Sequence, residues 1–196
     1  MRLAMPSEAR QVALDDPARA AREYAGILGE LRAGAAADLE ALAAESVEGV
    51  LRQGAFLMAV VAPAEADPAL LTGVALVVPD GWDLDTADAL RDSLEDVGGP
   101  DLRQTVLVES GMGPAVVAQR VPGVEQARAR EPLALQLQAF IPEPGSGRML
   151  LLTLSAPSRR GWAEHQALFT GLVASASPST AKPEPDESFE QHTFRL

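Results

Sequence analysis

Residues Pro132 to Ser155 read PLALQLQAFI, then PEPGSG, then RMLLLTLS, and this run decides the fold. In its first part Leu133, Leu135, Leu137, Ala139 and Ile141 point one way while Gln136 and Gln138 point the other. That two-residue period is the mark of a half-buried strand. Pro144 and Gly145 then break the chain. Arg148–Ser155 is apolar on both sides, with Leu150, Leu152 and Leu154 set against Met149 and Leu151, as a central strand requires. The pair predicts an antiparallel hairpin. WAEHQALFTGLVA behind it predicts a helix that begins near Ser155 or Ser158 and covers the sheet with Trp162, Phe169, Leu172 and Val173.

The same grammar extends outward. Leu102–Glu109 and Ala115–Val121 predict a second hairpin turning through SGMGP, and Ala55–Ala62 with Leu71–Val78 predict a third. An acidic helix is expected from about Thr86 to Val97, burying Leu90, Leu94 and Val97, and GGPD ends it. Residues 16–51 read as helix, capped by Asp15 or Asp16 with Pro17 in the first turn. Gly34 divides this segment. Ala20, Tyr24, Ile27, Leu28 and Leu31 form one apolar stripe, and Leu39, Leu42, Ala43, Val47, Val50 and Leu51 form the other. Hairpins in succession, with helices before and after them, predict an α+β fold with a mainly antiparallel sheet.

Residues 1–176 are expected to form a single α+β domain. Residues 177–196 are rich in Ser, Pro and acids, too polar to fold alone, and predict a disordered tail. It ends in FEQHTFRL, where Phe189, Phe194 and Leu196 are the apolar residues a docking peptide would use.

Composition narrows the function. The 196 residues carry a formal charge of −12, with 47% apolar content, and the pI is near 4.5. Such a field repels phosphate backbones and anionic membranes, so no nucleic-acid partner is expected. There is no cysteine, which removes disulfides, thiolate metal sites and cysteine nucleophiles. The N-terminus lacks the apolar core of a signal peptide, and no run is long enough for membrane insertion. A cytoplasmic location is the expectation. Lys182 is the sole lysine among 16 basic residues, a usage typical of a GC-rich, actinobacterial-type genome.

Candidates for chemistry are few. Asp83, Asp85 and Asp88 cluster in DLDTAD. The D-x-D of haloacid-dehalogenase phosphatases follows its strand directly, whereas PDGW intervenes here, and the calcium-loop pattern fails at Ala87. The residues read instead as helix signals, with Asp85 capping the first turn and Asp88 complementing the helix dipole. Of the two histidines, His192 lies in the tail and His165 reads as structural. Ser110-Gly111-Met112-Gly113 lacks the flanking glycine of a nucleophile elbow and reads as a turn. Neither a catalytic residue, a metal site nor a cofactor is expected. Arg159, Arg160 and Trp82, together with Phe189, Phe194 and Leu196, are the candidates for contact with a partner.

The order of elements around GMGPAVVAQRV, LQLQAFIPEPGSGRMLLLTLSAPS and WAEHQALFTGLVA resembles that of bacterial proteins with a PsbP-like α/β/α sandwich, over roughly residues 50–175. The resemblance implies a binding subunit: photosynthetic extrinsic proteins, a Ran-binding factor and chaperones for secreted effectors share that fold. No functional residue carries over. The function expected is that of a non-enzymatic, protein-binding adaptor or chaperone-like protein, in a secretion or toxin–immunity setting. The alternatives are a small hydrolase or ligand-binding enzyme using Asp83, Asp85 or His165, and a structural subunit of a larger assembly.

Overall fold

Strand pairing across the 132–155 run organises the whole chain in a computed structural model, which describes residues 1–31, 39–77, 82–123 and 134–178. The elements run β1 (Ala9–Gln11), α1 (Pro17–Leu31), α2 (Leu39–Arg52), β2 (Ala55–Val61), β3 (Ala69–Val77), α3 (Leu84–Val97), β4 (Leu102–Ser110), β5 (Gly113–Arg120), β6 (Leu135–Glu143), β7 (Arg148–Ala156) and α4 (Trp162–Ala174). The strands form one seven-stranded antiparallel sheet in the order β1-β2-β3-β7-β6-β5-β4. The class is therefore α+β. Three of the β-connections are the predicted hairpins, and β7 occupies the centre, flanked by β3 and β6.

Register divides the side chains between two faces. On one, Leu57, Ala59 and Val61 of β2 align through Leu71 with Leu150, Leu152 and Leu154 of β7, then with Leu137, Ala139 and Ile141 of β6. All are buried beneath Phe169, Leu172 and Val173 of α4. Burying one such side chain contributes about 1.5–3 kcal/mol, so this layer is the main core. On the opposite face Met58 and Val60 pack with Ala20, Tyr24 and Ile27 of α1 and with Ala43, Val47 and Val50 of α2. Farther along that face, α3 lies on β4 and β5, where Thr105 Oγ1 bonds Glu95 Oε1.

Local signals place the helix starts. Asp16 Oδ1 accepts the Ala18 and Arg19 N–H groups at 2.9 and 3.1 Å, which makes Asp16 the cap of α1. Several boundaries differ from expectation. The closing strand runs on to Ala156, and α4 begins only at Trp162, because Ser158 and Arg160 are held in a turn by the Ser158 Oγ–Arg160 N–H bond. Leu42 and Val97 are exposed, at 53% and 78%, because α2 and α3 each press only one narrow stripe onto the sheet. Leu31, at the end of α1, is also exposed. Gly34 lies outside the described residues. Ser177, the first residue read with the tail, bridges Arg2, and Ala176 before it is buried with Met1 and Leu3.

One glycine is dictated by close approach. Gly161 sits at φ +68, and a Cβ there would come within 2.1 Å of Ala66 Cβ and 2.4 Å of Ala66 Cα. The β2–β3 loop thus lies directly on the turn before α4. Gly171, within α4, has nothing within 4 Å of the same position. Gly161→Ala should destabilise the protein by more than about 1 kcal/mol, whereas Gly171→Ala should stabilise it by up to about 1 kcal/mol. Urea unfolding of the two variants checks the opposite signs.

Candidate functional site

Among the described residues, no extensive contact joins the two helical layers on the α1/α2 face. α1 and α2 cover β2 and pack against Leu70 and Val74 at the β3 end of the rows, and α3 covers β4 and β5. Between them a strip of sheet runs across β3, β7 and β6 with half-buried side chains, although their neighbours on the α4 face are buried. Three cross-strand rows build it. Thr72, Thr153 and Gln138 align in one row; Leu70, Ser155 and Gln136 in the next; Val74, Leu151 and Phe140 in the third. The strip therefore has a hydroxyl-and-carboxamide half and an apolar half. Neutral donors and acceptors beside an aromatic ring suit an extended polypeptide, whose side chains also alternate.

Arg120 holds one wall of this strip. Its Nη1 donates to Gly98 O at 2.6 Å and to the Asp101 carboxylate at 3.1 and 3.2 Å, and its Nε donates to Gln138 Oε1 at 2.9 Å. A guanidinium at the C-terminal end of α3 answers the negative pole of that helix while fixing a carboxamide of the strip. Trp82, at the other end of α3, is half-buried, and its Nε1–H donates to Pro114 O at 2.8 Å. That bond ties the start of α3 to the β4–β5 turn.

The carboxylate cluster is resolved into helix signals. Asp83 caps α3, accepting the Thr86 N–H at 2.9 Å and the Thr86 hydroxyl at 2.8 Å. The cap is thus Asp83, one turn-step earlier than the Asp85 expected, because the helix starts at Leu84. Asp85 stands in the first turn, and Asp88 pairs with Arg91 at 2.9 Å. No group of three His, Cys, Asp or Glu side chains gathers to hold a metal ion among the described residues.

His165 is fully buried in α4, on the opposite side of the sheet from Asp83 and Asp85. A single cleft using all three residues is therefore not formed. Its Nε2 lies 2.8 Å from Asp67 O; a carbonyl only accepts, so Nε2 carries a proton, while Nδ1 has no hydrogen-bond partner among the described residues. Ser158 Oγ donates to Asp67 Oδ2 at 2.5 Å, and Arg160 stands 3.8 Å from the same carboxylate. The hydroxyl is aimed at the carboxylate and the imidazole at the main chain, so serine and histidine are not wired as nucleophile and base. The four residues instead lock the β2–β3 loop to α4. Arg159 is exposed in the turn before α4. Phe189, Phe194 and Leu196 lie outside the described residues.

Residue reasoning missed Thr72, Thr153, Ser155 and Arg120. The alternation of Gln136 and Gln138 pointed to the polar side of one strand, but only register brings the β3 and β7 hydroxyls beside them. No helix of the described residues is long and apolar enough to cross a membrane. Neither a family model nor a curated protein matches the sequence. The fold defines the class: an α+β protein with helices on both faces of a seven-stranded antiparallel sheet.

Two predictions follow from these contacts. The Thr86 N–H and then its hydroxyl hold the Asp83 carboxyl below the usual range. A depressed carboxyl stabilises the fold above its unfolded pKa of about 3.9, and that contribution disappears as pH falls through the lower folded value. Asp83→Ala should therefore melt below wild type at neutral pH, and the gap in Tm should close in strong acid. His165→Leu nearly keeps the volume but leaves Asp67 O without its donor, at a cost of about 1–3 kcal/mol. Its midpoint in urea should fall accordingly with no change in the slope.

Proposed function

We propose that this chain is a non-enzymatic binding protein, adaptor or chaperone-like in action, which holds an extended segment of another polypeptide on the strip across β3, β7 and β6. The observation that carries the reading is the half-buried state of Thr72, Thr153, Gln138 and Phe140 in aligned rows, between helices that stop short of them. Polar rows supply orientation, and the Leu151–Phe140 row supplies apolar contact. The wiring of Ser158 and His165 away from each other favours binding over bond-making. The PsbP-like resemblance of residues 50–175 supports the same class, and from it alone comes the proposed secretion or toxin–immunity setting. The cytoplasm, the expected compartment, is part of the proposal. Trp82 and Arg120 act here as positioning residues, and Phe189, Phe194 and Leu196 are a second contact to the same partner.

A photo-crosslinking amino acid placed at Thr153 or Gln138 in the full chain, expressed in its native cell, tests the reading. Expected is one dominant crosslinked polypeptide, absent when the probe sits at Ala163 on α4, and reduced about tenfold by Phe140→Arg. Equal crosslinking at position 163, or none at 138 and 153, overturns it.

A further inference from the structure

We propose that the outer edge of β4 pairs antiparallel with β4 of a second copy of this chain, about a two-fold axis at Val106, to give one continuous sheet. The two edges of the sheet are unequal. β1 is three residues long, whereas β4 is nine residues long and pairs, among the described residues, only with β5. Long edges are normally blunted by lysine, proline or a covering element, since their outward N–H and C=O groups are a template for another strand. LRQTVLVES carries no lysine and no proline, and its centre, Gln104–Val108, carries no charge. A bulge at Arg103, between Leu102 and Gln104, interrupts the pairing with β5, and the regular ladder runs from Gln104 to Ser110.

The strand is complementary to itself in one register. Antiparallel pairing about Val106 sets Arg103 opposite Glu109, Gln104 opposite Val108 and Thr105 opposite Leu107. Each opposite-charge pair occurs twice by symmetry. A one-residue slip would turn every side chain to the wrong face. A two-residue slip one way sets Glu109 against Asp101 and Arg103 against Leu107; the other way it sets Arg103 against Gly111. The Val106 register alone pairs both charges. Arg103 and Glu109 are exposed, and neither forms an ion pair with a described residue.

The surroundings fit a strand of the same composition. Val106, 38% exposed, lines a cleft of about 180 Å³ with Gln104, Gln119, Gln166 and Thr170, beside the β4 edge. Pairing would place the second copy's Val108 beside Gln104 and close the two Val106 side chains on each other. The net charge of −12 opposes association at long range, but at ~150 mM salt that repulsion is screened beyond about 8 Å, while facing side chains remain in contact. This surface is separate from the strip between the helical layers, and either can fail without the other.

Sedimentation equilibrium of the full chain at ~150 mM salt tests it, with circular dichroism confirming that each variant is folded. Wild type should show a concentration-dependent dimer. Arg103→Glu and Glu109→Arg each turn two attractive pairs into repulsive ones, so each should weaken the dimer about tenfold, and the double reversal should restore it to within about threefold. Val106→Lys should leave monomer only. A wild-type monomer at every concentration, a dimer indifferent to the single reversals, or single losses that the double reversal does not repair would each overturn the proposal.

Discussion

β7 is paired along both of its edges and buried on its α4 face, and the rest of the molecule is arranged around that fact. Its Leu150, Leu152 and Leu154 lie beneath α4, while its other side continues the rows begun by β3. At an edge, the outer N–H and C=O groups of such an apolar strand would stay unpaired. Partners on both flanks satisfy the backbone, and β3 and β6 supply them. Placing β7 at the centre in turn sends β1 and β4 to the two edges.

The unequal treatment of the two faces follows. One face is sealed by α4 together with Met1 and Leu3, and its interior even accommodates a fully buried imidazole anchored to Asp67 O. The other face receives two separate helical layers. α1 and α2 form a pair packed on Met58 and Val60, and α3 is tied to the far strands by Arg120, Glu95 and Trp82. Two layers fixed to different strands leave the sheet between them half open. Polar side chains are tolerated at that place because water or a bound peptide can satisfy them, which a sealed layer would not permit.

Much of the fold was legible in the residues. Alternation in 135–141 and the doubly apolar 149–154 marked the central hairpin, and Pro17 with Asp16 marked the start of α1. What was missed has a common cause. β1 is only three residues long and pairs with β2 through a distant contact, so no local period announces it. The exposure of Val97 and Leu42 depends on how narrow a stripe each helix presses onto the sheet, which periodicity does not report. Asp83 displaced Asp85 as the cap because the helix starts at Leu84, two residues before the expected Thr86. The site was the least legible part. Thr72 and Gln138, at the two ends of one row, are far apart in sequence and share that row only through register with Thr153.

Sequence by itself determined the class of elements, the central hairpin, the lack of thiol chemistry and the acidic balance, because these depend on local period and composition. Tertiary structure decided strand order, which face each helix covers, the opposite placement of His165 and the Asp83 turn, and the half-open strip. Those features arise from contacts between residues far apart along the chain, where the hydrophobic gain of burial selects one packing among many that the local pattern allows.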